Sequence, residues 1–303
     1  MRALLVFNPN ATTTDDSVRD VIASALRSEV DLQVEPTKQR GHATHIVAGA
    51  VHDGIDVVFA LGGDGTANEV IQALAGTHVL LGVIPGGGTN VLARALGLPN
   101  DPVAATSRML AALREGRARS IGLGRANGRY FAFHAGYGFD AALVRSVEQH
   151  PRMKRLLRQV AFVLLGLRTW FGQRHYGRDP GIGVELPDGR VVGPAGTCMI
   201  ANARPYTYLG ERELLVHPHA DFDRGLDVVT VGSVGDLRMT SILLGAFAGG
   251  RHLRDRHVHE HTDLSHFTVT ATRPEPLQVD GDYAGEHTEV RFESVPAALR
   301  VLA

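Results

Sequence analysis

Gly62-Gly63-Asp64-Gly65-Thr66 sits where an apolar strand-like run, Asp56 to Leu61, hands over to a helix-like one carrying Val70, Ile71 and Leu74. Glycines at such a junction let backbone N–H groups approach a polyphosphate, and the following helix N-terminus adds positive potential. Asp64 then sits where a carboxylate can hold Mg²⁺. A second loop, Pro85-Gly86-Gly87-Gly88-Thr89-Asn90, closes the run Val79 to Ile84 and opens a further helix. Loops that follow adjacent parallel strands lie side by side at the carboxyl edge of a sheet, so the two make one crevice. Gly63, Gly65, Gly87 and Gly88, with the Thr66 and Thr89 hydroxyls, offer many donors and almost no side-chain positive charge. That suits phosphate binding through backbone and metal. Asn8 and the Thr12 and Thr13 hydroxyls, after the first strand, border the same edge. In outline this is a site for a nucleoside triphosphate.

Other residues could do chemistry. An apolar run ends at Val279, Asp280-Gly281 makes a turn, and Asp282 projects from it. Only Lys38 and Lys154 are lysines, and neither lies in a Walker pattern. Lys38, in Glu35-Pro36-Thr37-Lys38, reads as a solvated loop residue more than a phosphate contact. His257, His259 and His261 share one face of a strand and could bind a transition metal, but a solvated histidine-rich edge is the simpler reading. Arg152 to Arg158, running on to Trp170-Phe171, is a basic, partly amphipathic helix, read as interdomain packing with membrane docking as the alternative. Cys198, between Thr197 and Met199 in an apolar strand, reads as core.

The elements that position the loops follow from periodicity. Ala3 to Phe7 is a short apolar run closed by Asn8-Pro9. Val18, Val21, Ile22, Ala25 and Leu26 then repeat at helical spacing after a Thr13-x-x-Asp16 start. Leu32 to Glu35 reads as a second strand, and Ala43, Ile46, Val47, Ala50 and Val51 as a second helix. Helices at Asn90 to Leu96 and Pro102 to Glu115 complete a βαβα series, which means a doubly wound, mostly parallel sheet. Beyond about residue 119 the texture changes to short β-like runs at 130–135, 196–202, 213–216, 226–231 and 263–271. That predicts an antiparallel second domain with helices at Pro151 to Trp170 and Leu237 to Gly249. The expected division is 1–122, completed by 294–303, and 123–293.

Composition narrows the function classes. The chain has 303 residues, 31 basic against 32 acidic, 44% apolar and 21% charged, which excludes intrinsic disorder and any global electrostatic case for nucleic acid. Its 35 glycines exceed the average share of roughly 7% and imply many tight turns or close backbone approaches. A single cysteine excludes an internal disulfide and fits a reducing cytoplasm. No signal peptide is read at the N-terminus, and Val160 to Leu167 is too short to cross a bilayer.

Asn8-Pro9, Gly62-Gly63-Asp64-Gly65-Thr66 with Asn68, Gly86-Gly87-Gly88-Thr89-Asn90 followed by Ala93-Arg94 and Leu98-Pro99, and Asp280-Gly281-Asp282 resemble, in order and spacing, the diacylglycerol kinase catalytic-domain family. That family includes the sphingosine and ceramide kinases, and the chain looks most like its soluble bacterial branch. The resemblance implies an N-terminal nucleotide domain like that of NAD kinases and phosphofructokinases, an antiparallel β-sandwich after it, and ATP in the cleft between them. On that basis Asn8, Asn10, Thr12, Thr37, Gly62, Gly63, Asp64, Gly65, Thr66, Asn68, Gly88 and Thr89 would contact ATP. Asp64 would organise the catalytic Mg²⁺. Asp282 stands where the family usually has Glu, taken as the general base that accepts the proton of the lipid hydroxyl. The resemblance also implies a structural Mg²⁺ in a Pro-x-Ala…Asp-Asp-Gly loop. Here His217 to Asp227 is one residue short, with Arg224 where the second Asp is expected. Asp221 and Asp223 are the remaining candidate ligands, and an internal Arg–Asp pair is the alternative to the ion.

The expected function is ATP-dependent phosphorylation of a neutral lipid hydroxyl, diacylglycerol to phosphatidic acid, by a cytoplasmic enzyme peripheral to the inner membrane face. Its partner is a lipid at a membrane surface, not nucleic acid, and a homodimer is compatible with the sequence. Two alternatives stand beside it. An NAD kinase shares the first loop, but the separate downstream Asn-Glu of that family is missing. A weakly active nucleotide- or lipid-binding regulator is suggested by the departures at Asp282 and Arg224.

Overall fold

The computed structural model describes residues 1–9, 15–148 and 175–303. They form two units, Met1–Leu123 with Pro296–Ala303, and Gly124–Val295.

In the first unit β1 (Arg2–Phe7), α1 (Asp16–Arg27), β2 (Asp31–Pro36), α2 (His42–His52), β3 (Val57–Gly62), α3 (Asp64–Leu74), β4 (Leu80–Pro85), α4 (Val91–Ala95) and α5 (Pro102–Arg114) alternate as the periodicity predicts. The strands pair in parallel in the order β2-β1-β3-β4, and Arg300 and Val301 at the chain's end add to β4. Every residue of β3 is buried, as a strand covered on both faces requires. From β1 the chain crosses outward to β2 and back past β1 to β3. With right-handed crossovers this puts α1 and α2 on opposite faces and creates a switch point between β1 and β3. The N-cap of α1 is Asp15, whose carboxylate accepts the Val18 N–H at 2.9 Å, two residues after the Thr13 that the capping-box reading made the cap. Thr13 lies outside the described residues.

The second unit is antiparallel. It comprises β5 (Arg119–Ala126), which enters from the first unit, β6 (Arg129–Phe131), β7 (His134–Gly138), α6 (Phe139–Glu148), β8 (Ile182–Glu185), β9 (Val191–Ala195), β10 (Thr197–Ala201), β11 (Thr207–Leu209), β12 (Arg212–Leu214), β13 (Leu226–Val231), α7 (Asp236–Phe247), β14 (Val258–Leu264), β15 (His266–Val279) and β16 (Asp282–Val301), which returns to the first. One path runs β14-β13-β10-β7-β15-β16, and β8 pairs the other half of β15. Phe131, Tyr137, Phe267 and Phe292 anchor its main core, while Phe139 and Tyr206 belong to a second cluster under α7. The aromatics Phe131, Phe133, Tyr137, Phe139, Tyr206 and Tyr208, which the sequence left between core and acceptor pocket, are all buried. Cys198 is fully buried, which pushes its thiol far up and leaves it unreactive. The histidine-rich segment lies on β14, the end strand of its path, and no group of three His, Cys, Asp or Glu among the described residues could hold a metal. The predicted helix Pro151 to Trp170 lies outside the described residues. Among the described helices none is long and apolar enough to cross a membrane.

Candidate active site

Parallel register brings the first unit's candidates to one edge. Phe7 lies level with Leu61 and Gly62 with Pro85. The Asn8 N–H donates to the Leu61 carbonyl at 3.1 Å, Gly86 N–H to Gly62 at 2.7 Å, and Thr37 N–H to Phe7 at 2.8 Å. A recess at the switch point is lined by Phe7, Asn8, Pro9 and Leu61 with Asp15, Asp16 and Arg19. Asn10 and Thr12 fall outside the described residues. Lys38 is exposed, as the loop reading expects.

The two glycine loops touch backbone to backbone. A Cβ built on Gly87 would lie 2.7 Å from the Gly63 Cα and 3.0 Å from the Asn90 Oδ1, so no side chain fits there at this spacing. Gly88, exposed beside it, has nothing within 4 Å. Thr66 folds back over Gly62, whose Cβ would meet its Oγ1 at 2.6 Å. Asn90, left-handed at φ 51°, closes the second loop: its Oδ1 accepts the Gly87 N–H at 2.8 Å and its amide donates to the Gly87 carbonyl at 2.9 Å.

The acids of the first loop reach sideways. Asp64 accepts the Val91 N–H at Oδ2 and the Leu92 N–H at Oδ1, both at 3.0 Å, and so caps α4. Burial raises its carboxyl above the ordinary value, opposed by those same N–H donors. Glu69 does the same for α2, accepting Gly41 N–H at 2.7 Å and Ala43 N–H at 3.1 Å. The sequence reading missed this role. Its signal was a helix beginning Gly41-His42 with no Ser, Thr, Asp or Asn to cap it. Asp15 caps α1. At α3 the N-cap is Gly63 and no side chain caps it, so the leading N–H groups of Gly65 and Thr66 are the donors this edge holds for an anion. Asn68, which the resemblance assigns to ATP, lies on α3. It is 1% exposed, and its Oδ1 accepts from Gln72 at 3.2 Å, so it packs inside the unit.

With the Val91 and Leu92 N–H groups and its own N–H acting on it, the Asp64 carboxylate keeps lone-pair capacity for one further partner. That fits Mg²⁺ held by one carboxylate, waters and substrate phosphates in place of an all-protein cage. The loop His217 to Asp227 does not fit an ion in the same way, because the Arg224 guanidinium donates to the His219 carbonyl at 3.2 Å. That carbonyl already holds a guanidinium, which cannot ligate Mg²⁺.

In the second unit Asp280 and Gly281, at φ 50° and 82°, form the two-residue turn between β15 and β16, with Val279 paired to Asp282. The turn is more than a hairpin. Asp280 is 5% exposed and accepts the N–H groups of Ala132, Phe133 and His134 at 2.7, 3.0 and 3.1 Å. Gly281 N–H donates to the Gln278 Oε1 at 2.9 Å, and Gln278 Nε2 donates to the Asp140 Oδ2 at 2.9 Å. The Tyr206 hydroxyl donates to the other Asp140 oxygen. Burial raises the Asp140 carboxyl, opposed by these donors. Asp140, an acid inside the apolar run Ala132 to Ala142, is a second residue that sequence reasoning passed over. Asp282 itself is partly exposed and paired with Arg129 at 3.2 Å.

The chain matches the diacylglycerol kinase catalytic domain over residues 2–126 and the YegS C-terminal NAD kinase beta sandwich-like domain over residues 134–303. It is 32% identical to a probable lipid kinase YegS-like of Pseudomonas aeruginosa, covering 95% of this chain and 89% of that one. It is 28% identical to the diacylglycerol kinase of Bacillus subtilis, over 94% and 90%. A crystal structure of a diacylglycerol kinase from Bacillus anthracis superposes with a TM-score of 0.77 at 21% identity over 99% of this chain and 96% of that one, a likeness of fold. The two matched domains together take in nearly the whole of the sequence that carries the glycine loops and the Asp-Gly-Asp hairpin, and the chain belongs to the diacylglycerol kinase family of lipid kinases.

Proposed function

We propose that the protein transfers the γ-phosphoryl group of ATP to the hydroxyl of a neutral lipid, with diacylglycerol as acceptor and phosphatidic acid as product. The observation that carries this reading is the uncapped start of α3. Asp64 and Glu69 satisfy the neighbouring helices α4 and α2, while Gly65 and Thr66 keep their N–H groups for phosphate oxygens. The relatives named diacylglycerol kinase support the acceptor.

The tasks divide between the units. The first orients the phosphates through backbone donors, with Thr89 and Gly88 of the second loop beside them, so that charge developing on the transferred group is met by fixed dipoles. Asp64 and phosphate oxygens would hold Mg²⁺, which supplies charge neutralisation when bound. In the second unit Asp282 accepts the proton as the lipid O–H bond breaks and the new O–P bond forms, with ADP leaving. Arg129, paired with the Asp282 carboxylate at 3.2 Å, orients it. Because the acceptor resides in a bilayer, the protein acts as a peripheral enzyme at the inner membrane face.

The test is transfer of labelled γ-phosphate from ATP with Mg²⁺ to a panel of neutral lipids in mixed micelles, with NAD and no-lipid controls. Labelled phosphatidic acid is expected. Labelling of a different lipid replaces the acceptor, labelled NADP replaces the reaction, and ATP binding without transfer makes the chain a regulator.

A further inference from the structure

Where β13 and β14 pair, three carboxylates gather beneath the loop that leads into β13. Asp227 is 0% exposed; its Oδ1 accepts the Asp263 N–H at 2.9 Å, and its Oδ2 is buried with no hydrogen-bond partner among the described residues. Glu260, opposite Val229, has its Oε1 buried and unpartnered in the same way. Asp263 accepts the Gly225 N–H at 2.7 Å. Buried anions left without a counter-charge are costly, so this cluster needs a cation.

Arg224 is the cation at hand. Its Nη1 donates to the His219 carbonyl at 3.2 Å, its Nη2 lies 3.9 Å from the Asp263 Oδ2, and its own N–H donates to the Asp221 carbonyl at 3.0 Å. The guanidinium therefore links His219 in the loop to Asp263 on β14, while the Arg224 backbone closes the turn from Asp221. Burial raises the carboxyls of Asp227 and Glu260; Arg224 and His219 oppose this at Asp227, and His219 at Glu260.

We propose that Arg224 is the resident cation of the loop His217 to Asp227, its guanidinium bonded to the His219 carbonyl and 3.9 Å from Asp263 at the carboxylate cluster, so that this segment folds without a metal ion. The position is the one at which the resemblance expects the second aspartate of a metal-binding loop. A guanidinium cannot share a ligand set with Mg²⁺, but it can donate to a loop carbonyl and balance carboxylate charge. The inference stands whatever the substrate.

Thermal unfolding of the full chain without nucleotide tests it, run in EDTA and in millimolar Mg²⁺. The unsubstituted protein should melt at the same temperature in both. Arg224→Met should melt about 3 °C or more lower in both. Arg224→Asp should melt lower in EDTA and rise on adding Mg²⁺, with stoichiometric bound metal by elemental analysis. An unsubstituted protein whose melting temperature falls in EDTA and recovers in Mg²⁺ overturns the proposal, as does an Arg224→Met variant that melts like its parent. Arg224→Asp left unchanged by Mg²⁺ overturns the equivalence of guanidinium and metal.

Discussion

Gly63 and Gly87 meet backbone to backbone, and a methyl group on Gly87 would stand 2.7 Å from the Gly63 Cα. The neighbours that must yield are main chain, and they belong to the two loops assigned to the phosphates. Gly87→Ala should therefore push the loops apart and raise the KM for ATP by tenfold or more, an effect of about 1.4 kcal/mol. Gly88→Ala, with open space around its Cβ, should leave the melting temperature unchanged and separate packing from ligand approach. Equal effects of both substitutions on melting temperature would contradict this packing.

Asp64 has two tasks on the proposed reading, and they are separable. Asp64→Ala should abolish phosphoryl transfer, and loss of the α4 cap should also cost about 1–2 kcal/mol of stability in urea unfolding. A folded Asp64→Ala variant with full activity would remove Asp64 from the site.

Glu69 is a cap and nothing in the proposed chemistry uses it. Glu69→Ala should destabilise by a similar amount, about 1–2 kcal/mol. Below its melting temperature the variant should keep the parental kcat, measured by the same transfer assay. A large loss of kcat in the folded variant would show that the α2 end reaches the reaction.

Asp282 and Asp280 should differ in kind. Asp282→Asn is expected to lower kcat about a hundredfold or more, as removal of a general base does, with little change in melting temperature. Asp282→Glu, which restores the family's residue, should match or exceed the parent. Asp280→Ala strands three buried N–H donors and should cost several kcal/mol, about 1–3 for each stranded donor, so its signature is unfolding.

Stability should fall in mild acid through His134. Burial, with the nearby His217 adding to it, lowers this imidazole to about 3. The unfolded chain therefore binds the proton first, and the stabilisation is whole above about pH 6.5 and declines below it by up to about 1.4 kcal/mol per pH unit. His217, also lowered to about 3, acts in the same direction, and the raised carboxyls of Asp64 and Asp140 act in the opposite one. Urea unfolding of His134→Gln from about pH 7 to about pH 5 should give a shallower acid limb than the parent. Parallel limbs would mean that His134 is protonated as readily in the folded protein.

The sequence by itself determined the alternation of β1 to β4 with their helices, because apolar period and glycine loops are local properties that adjacent residues dictate. It also placed Gly62 to Thr66 and Gly86 to Asn90 at strand–helix junctions, where phosphate chemistry is read from residue type. It did not mark β5, β8, β9 or the 20-residue β16, whose partly exposed faces carry little alternation and which depend on partners far along the chain. Only the tertiary structure decided that Asp64 and Glu69 cap α4 and α2 and that Asn68 faces inward. Tertiary structure likewise set Asp280 and Asp140 to hold the hairpin of Asp282, and Arg224 beside Asp263. Apart from Asn68, which bonds Gln72 on its own helix, these are contacts between groups distant in sequence. A buried N–H or carboxylate must find whatever partner the fold brings near, and no local pattern records which one that is.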